Sequence, residues 1–171
     1  MAIFSPARRR LLALFAASAG LAGCGFRPRG RFSVPFKTIC LAMSDQQPLT
    51  HELRRHLEAE TSAVVVDSEK DAEAILSIVR QSRTRNVQTY NDLGDAREYR
   101  LGYDITFKLV SPDGYEFLPP TTISARRDLP YTMRNYLSRE VEEATLYRDI
   151  ENDIAVQLIR RIESVKPDAV R

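Results

Sequence analysis

The chain of 171 residues has no tryptophan, only two cysteines and only two histidines. Each scarcity removes a kind of chemistry. His51 and His56 stand five apart on a segment that reads as helix, so they do not share a face as an i, i+4 pair would. Neither Cys24 nor Cys40 has a second thiol or histidine at ligand spacing, so no metal site is read. There is no Gly-rich phosphate loop, no HExxH and no GxSxG. Carboxylates are many but scattered, and no acid–base pair is singled out, so no catalytic residue is assigned. Long apolar runs are also missing. The longest, Leu11 to Gly23, has 13 residues, well short of the ~20 that a membrane-spanning helix needs.

That short run has a context of its own. Arg8, Arg9 and Arg10 precede it, and Leu21-Ala22-Gly23-Cys24 closes it. A basic start, an apolar middle and small residues at the end make a secretion signal over residues 1–23. Cysteine directly after the small residues resembles a bacterial lipobox. The resemblance implies a thioether-linked lipid on Cys24, cleavage after Gly23 and acylation of the new amine. Three acyl chains would anchor the chain to a membrane without spanning it. An ordinary signal with an incidental cysteine is the plainer alternative. Cys40 then has no partner in the chain and reads as a buried, inert thiol.

Cleavage also changes the charge. The full sequence has 25 basic and 23 acidic side chains. The signal carries three arginines and no acid, which leaves 22 against 23, or −1. A general nucleic-acid binder would be more basic, so no nucleic-acid partner is expected. An anionic partner must be met by a local patch.

Residues 24–35 mix glycine, proline and arginine and read as a tether. One domain is expected over 36–166, with a short tail over 167–171. A strand at about 36–43 leads to a helix starting near Pro48, with Leu49, Leu53 and Leu57 as its apolar stripe. Ala63 to Val66 is a short β-branched strand. Ile75 to Gln88 reads as a long strand, apolar first and polar later. Residues 97–110 alternate strictly. Tyr99, Leu101, Tyr103, Ile105, Phe107 and Leu109 face a core, with polar residues between them. Ser111-Pro112-Asp113-Gly114 suits a type I turn, so Tyr115 to Asp128 returns antiparallel. Ser138 is placed to cap a last helix with the stripe Leu146, Ile150, Ile154, Leu158, Ile162 and Val165. The order predicts an α+β two-layer sandwich. Its sheet is mostly antiparallel, with about four strands and two helices packed on one face.

Arginines concentrate in two places. Arg80, Arg83 and Arg85 lie in the polar half of one strand, and Arg97 and Arg100 open the next. Register counting around Asp92 sets Arg85 near Arg100 on the wet face. Like charges facing each other are destabilising, so either acid pairing or an anionic ligand is expected. Acid-paired solvated surface is one reading, and phosphate recognition by arginine forks is the other. Arg126, Arg127, Arg134 and Arg139 form a second set around the loop before the last helix.

Cys24-Gly25-Phe26-Arg27-Pro28 resembles the start of the lipopolysaccharide-assembly lipoproteins of the LptE family. The likeness continues through Pro48-Leu49, Arg97-Glu98-Tyr99, Pro112-Asp113-Gly114 and Ala155-Val156-Gln157-Leu158-Ile159-Arg160-Arg161. It implies an outer-membrane lipoprotein that is not an enzyme. It further implies a plug inside an LptD-like β-barrel that assists the barrel's assembly and helps lipopolysaccharide reach the outer leaflet. No cofactor is implied beyond the covalent lipid on Cys24. The resemblance also implies lipopolysaccharide contacts through basic residues. By position Arg139 is one candidate. Arg83, Arg85, Arg97 and Arg100 are the candidates near the hairpin, where Asp92 stands in place of an expected base. Three alternatives stay open on the residues alone: an envelope enzyme, a lipid carrier, and a chaperone of another barrel.

Overall fold

A computed structural model describes residues 32–130 and 139–166. The chain divides into two units, 1–30 and 31–171, and the described residues all belong to the second. The signal, Cys24, the loop with Arg134 and the Ser138 cap lie outside the described residues.

Among the described residues, five strands and two longer helices make up the fold: β1 (Thr38–Ala42), α1 (Pro48–Glu60), β2 (Val64–Val66), β3 (Ala74–Tyr90), β4 (Ala96–Val110), β5 (Glu116–Pro130) and α2 (Arg139–Glu163). A single 3₁₀ turn, Glu69–Asp71, precedes β3. The sheet order is β2-β1-β3-β4-β5. β1 pairs in parallel with both β2 and β3, whereas β3, β4 and β5 are antiparallel. The sheet is therefore mixed and has five strands. Its antiparallel half matches the expectation, and its parallel half was not foreseen.

Both helices cover one face. Leu49, Leu53 and Leu57 from α1, and Ile150, Ile154, Leu158 and Ile162 from α2, are fully buried or nearly so. They meet Leu101, Ile105, Phe107 and Leu109, the inward set of the alternating strand. Proline opens α1 because the first turn needs no N–H from it. Cys40 points away from this core into a small second cluster with Ala72 and Ile75. Burial raises its thiol above the ordinary value, and the nearby Glu69 and Asp67 add to this. A thiol so placed is a poor nucleophile.

The two layers differ in length. α1 has 13 residues and α2 has 25, about 20 and 37 Å at 1.5 Å per residue. β1 pairs with β3 only from Ala74 to Ser77. Beyond that point β3 and β4 run on as a ribbon, with β5 on one side and the first turns of α2 above.

The uncovered face of that ribbon is polar. Arg126 reaches across Gly102 to Asp104, at 2.7 Å. Ser124 also donates to Asp104, and Thr106 bonds Thr122 at 2.8 Å. Ser124 and then Arg126 hold the Asp104 carboxyl below the usual carboxylate range. Glycine is required at 102. A Cβ there would stand 2.5 Å from Thr84 Oγ1 and 2.9 Å from the Arg126 side chain. We expect Gly102→Ala to lower stability by about 1–2 kcal/mol through overpacking. In a Thr84→Ala background the same change should cost measurably less, as read by urea unfolding. Equal costs in the two backgrounds would refute the crowding.

Candidate functional site

The hairpin tip decides which arginines can meet. Asn91 Oδ1 accepts from the backbone N–H of Leu93 and of Asp95, at 3.0 and 2.8 Å. Gly94 adopts φ +84°, a conformation that glycine takes without strain. The turn is thus centred on Leu93 rather than Asp92, and Tyr90 pairs with Ala96. A shift of one residue exchanges the two faces of a strand. Arg85 accordingly pairs with Leu101, and Asn86 with Arg100. Arg85 and Arg100 lie on opposite faces of the sheet, which corrects the expectation that they meet on the wet one.

A bulge at Val79 keeps this arrangement compatible with the core. Ile78 pairs with Phe107 and Arg80 with Thr106, leaving Val79 without an opposite residue. Leu76 and Ile78 face the helices before it. After it, Gln81, Arg83 and Arg85 do so.

On the helix side, Arg83 lies between two tyrosines. Its guanidinium carbon is 5.1 Å from the Tyr103 ring centre and 4.9 Å from that of Tyr147. It donates to Glu151 Oε1. Glu151 is only 1% exposed. Burial pushes its carboxyl above the ordinary value, Arg83 works against this, and Glu52 adds to it. Arg85 stacks at 4.2 Å on Tyr99 and stands 3.5 Å from Glu143. Burial also raises the phenols of Tyr103 and Tyr147. Arg83, Arg85, Glu143, Tyr147 and Glu151 line an open groove of 640 Å³ between β3 and the start of α2, with Pro48 also on its wall. Among the described residues no group of three His, Cys, Asp or Glu is placed to hold a metal.

On the other face, Arg100 Nε donates to Asp128 at 2.6 Å, with a second bond from Nη2 at 3.2 Å. This forked bond raises the guanidinium and lowers the carboxyl. Arg127, on the helix side, is held by Asp153. Acid pairing is therefore the state of Arg83, Arg85 and Arg100. Arg97 differs: it is exposed and has no ion pair among the described residues. Arg139 is the first residue of α2, and its side chain lies outside the described residues.

Sequence reading missed Glu143, Tyr147 and Glu151 as partners. Their spacing carried the signal. Tyr147, Glu151, Ala155 and Leu158 follow the i, i+4, i+8, i+11 pattern of a second inward stripe. A glutamate inside such a stripe calls for a buried cation.

The two-layer α+β fold is shared with lipoproteins of known structure. A lipoprotein B from Nitrosomonas europaea, solved by NMR, superposes with a TM-score of 0.70 at 27% identity, over 82% of this chain and 91% of that one. The rare lipoprotein B of Shewanella oneidensis matches in fold, with a TM-score of 0.64 at 24% identity over 74% and 94% of the two chains. The family model described as "LptE: Lipopolysaccharide-assembly" matches residues 36–162, and the chain belongs to that family. Relatives named LPS-assembly lipoprotein LptE include one from Pectobacterium atrosepticum, 26% identical over 92% of this chain and 88% of that protein. Another, from Yersinia enterocolitica, is 29% identical over 91% and 76%.

Proposed function

We propose that this chain is an outer-membrane lipoprotein of lipopolysaccharide transport, anchored through acyl chains on Cys24. In this reading it plugs an LptD-like β-barrel, assists that barrel's assembly and helps deliver lipopolysaccharide to the outer leaflet. It performs no catalysis. The observation that carries the reading, beside family membership, is the uncovered face of β3, β4 and β5. There hydroxyls and paired ions replace the apolar side chains that a second helix layer would need. Such a face suits a water-filled barrel lumen, whose wall is itself polar. Affinity purification of the lipidated chain from its own envelope should recover one large β-barrel. Recovery of the chain without any barrel would refute the plug.

Of the candidate arginines, Arg83, Arg85 and Arg100 would each first have to release a carboxylate, which leaves Arg97 as the candidate on the geometry and Arg139 as the one that the family resemblance implies. Arg97→Asp combined with Arg139→Asp should weaken lipopolysaccharide binding by about tenfold, the scale of one charge-assisted hydrogen bond, and added salt should weaken the wild type similarly. Arg100→Ala should change it less than about twofold, as expected for an exposed, already paired cation. Titration of a soluble form lacking residues 1–24 with labelled lipopolysaccharide measures all three. If Arg100→Ala is the damaging change, the contact lies on the open face instead.

A further inference from the structure

The ribbon leaves β3 with a bare edge. β1 stops pairing with it at Ser77. From Arg80 to Val87 β3 pairs with β4 without interruption, and among the described residues no strand lies along its other side. Alternate backbone N–H and C=O groups of that run point into a step left where β1 ends and α1 begins, and the Thr84 carbonyl accepts from the Tyr147 hydroxyl at 3.3 Å. Unpaired edges recruit extended chains.

Three features of this edge say what kind of chain fits. It carries no proline, whereas the other long edge, β5, has Pro119, Pro120 and Pro130. Residues 74–90 hold three arginines and no acid or lysine. A small cavity of 190 Å³ beside Gln81 and Ser82 is lined by Gln47. The Oε1 of Gln47 is buried and bonds nothing among the described residues, a polar atom left without the hydrogen bond that burial calls for. We infer that the free edge of β3 between Arg80 and Val87, together with the step beside Gln47 and Pro48, docks an extended acidic segment of a partner protein as an added strand. Main-chain hydrogen bonds would supply affinity. Arg83 and Arg85 already hold Glu151 and Glu143, which leaves Arg80 to select acidic side chains over basic ones. Arg80 is the natural selector, because it is exposed and forms no ion pair among the described residues.

The test uses the full chain in detergent and two synthetic decapeptides, one alternating valine with glutamate and one alternating valine with lysine. The acidic peptide should slow hydrogen exchange of the outward amides between Arg80 and Val87 by tenfold or more at saturation. Amides of Thr121 to Leu129 should not change. Arg80→Glu should weaken binding of that peptide at least tenfold with an unchanged melting temperature. Equal binding of the lysine peptide overturns the charge selection. A footprint on β5, or none at millimolar peptide, overturns the docking edge. Protection by phosphatidylglycerol vesicles in place of the peptide would reassign the arginines to a lipid surface.

Discussion

Aspartate in place of Ile105 or Ile154 should leave the domain largely unfolded at 25 °C. Both side chains have zero exposure, one on the inward row of β4 and the other on the inward stripe of α2. The change removes a full aliphatic side chain from a packed core, a loss of roughly 2–5 kcal/mol for large-to-small substitutions. It also strands a carboxylate without a partner, which adds about as much again. A domain of this size has only about 5–15 kcal/mol in reserve. Circular dichroism and urea titration would show the loss directly. Aspartate at Leu93, which is 88% exposed at the hairpin tip, is the matched control and should stay within about 0.5 kcal/mol of wild type. If Ile154→Asp melts like Leu93→Asp, the helix layer is wrongly assigned.

Removal of Arg83 should have the next largest effect. Arg83→Ala leaves Glu151 buried with no cation and with Glu52 still repelling it. Breaking a buried pair from one side costs about 3–5 kcal/mol, and the partial exposure of Arg83 argues for the lower end. The pH dependence has a definite sign. The folded carboxyl of Glu151 is raised above its unfolded value. Its protonated form is therefore the one that folding favours. That advantage is full below the unfolded value and is lost as pH rises through the folded one. Without Arg83 the folded value rises further. The variant should then be least stable at neutral pH and recover part of its deficit on acidification toward pH 5. Adding Glu151→Gln should restore most of the stability at pH 7, because a neutral amide does not need the guanidinium. A deficit that ignores both pH and the amide would mean that Arg83 acts through its stacking on Tyr103 and Tyr147 alone.

The elements of this fold were legible wherever one periodicity dominated. The alternation of Tyr99 to Leu109 and the stripe from Leu146 to Val165 each have a single solution, and both lie where the pattern sets them. The Ser111–Gly114 turn followed from proline and glycine at fixed offsets, and its Gly114 has φ +87°. Pairing was less legible. Nothing in Thr38–Ala42 or Val64–Val66 says that these short strands lie parallel, since the crossover through α1 is a tertiary fact. The arginines were legible as a cluster but not as a geometry. Their faces depend on the Asn91 side chain centring the turn at Leu93 and on one residue at Val79 dropping out of the ladder. Neither feature leaves a mark in hydrophobic alternation. The carboxylates that hold Arg83 and Arg85 come from 60 or so positions further along the chain.

The bulge at Val79 also has a consequence for chain length. Ile78 and Arg80 already oppose neighbouring residues of β4, so Val79 is spare in the ladder. A chain lacking that residue would keep every pairing from Arg80 to Val87 and present the same side chains to each side. A chain lacking any residue from 81 to 87 would turn the positions between the gap and the bulge to the opposite side, Arg83 and its buried carboxylate among the casualties for losses beyond it. Between the spare residues Val79 and Gln88 the strand thus has no place where its length is free to vary.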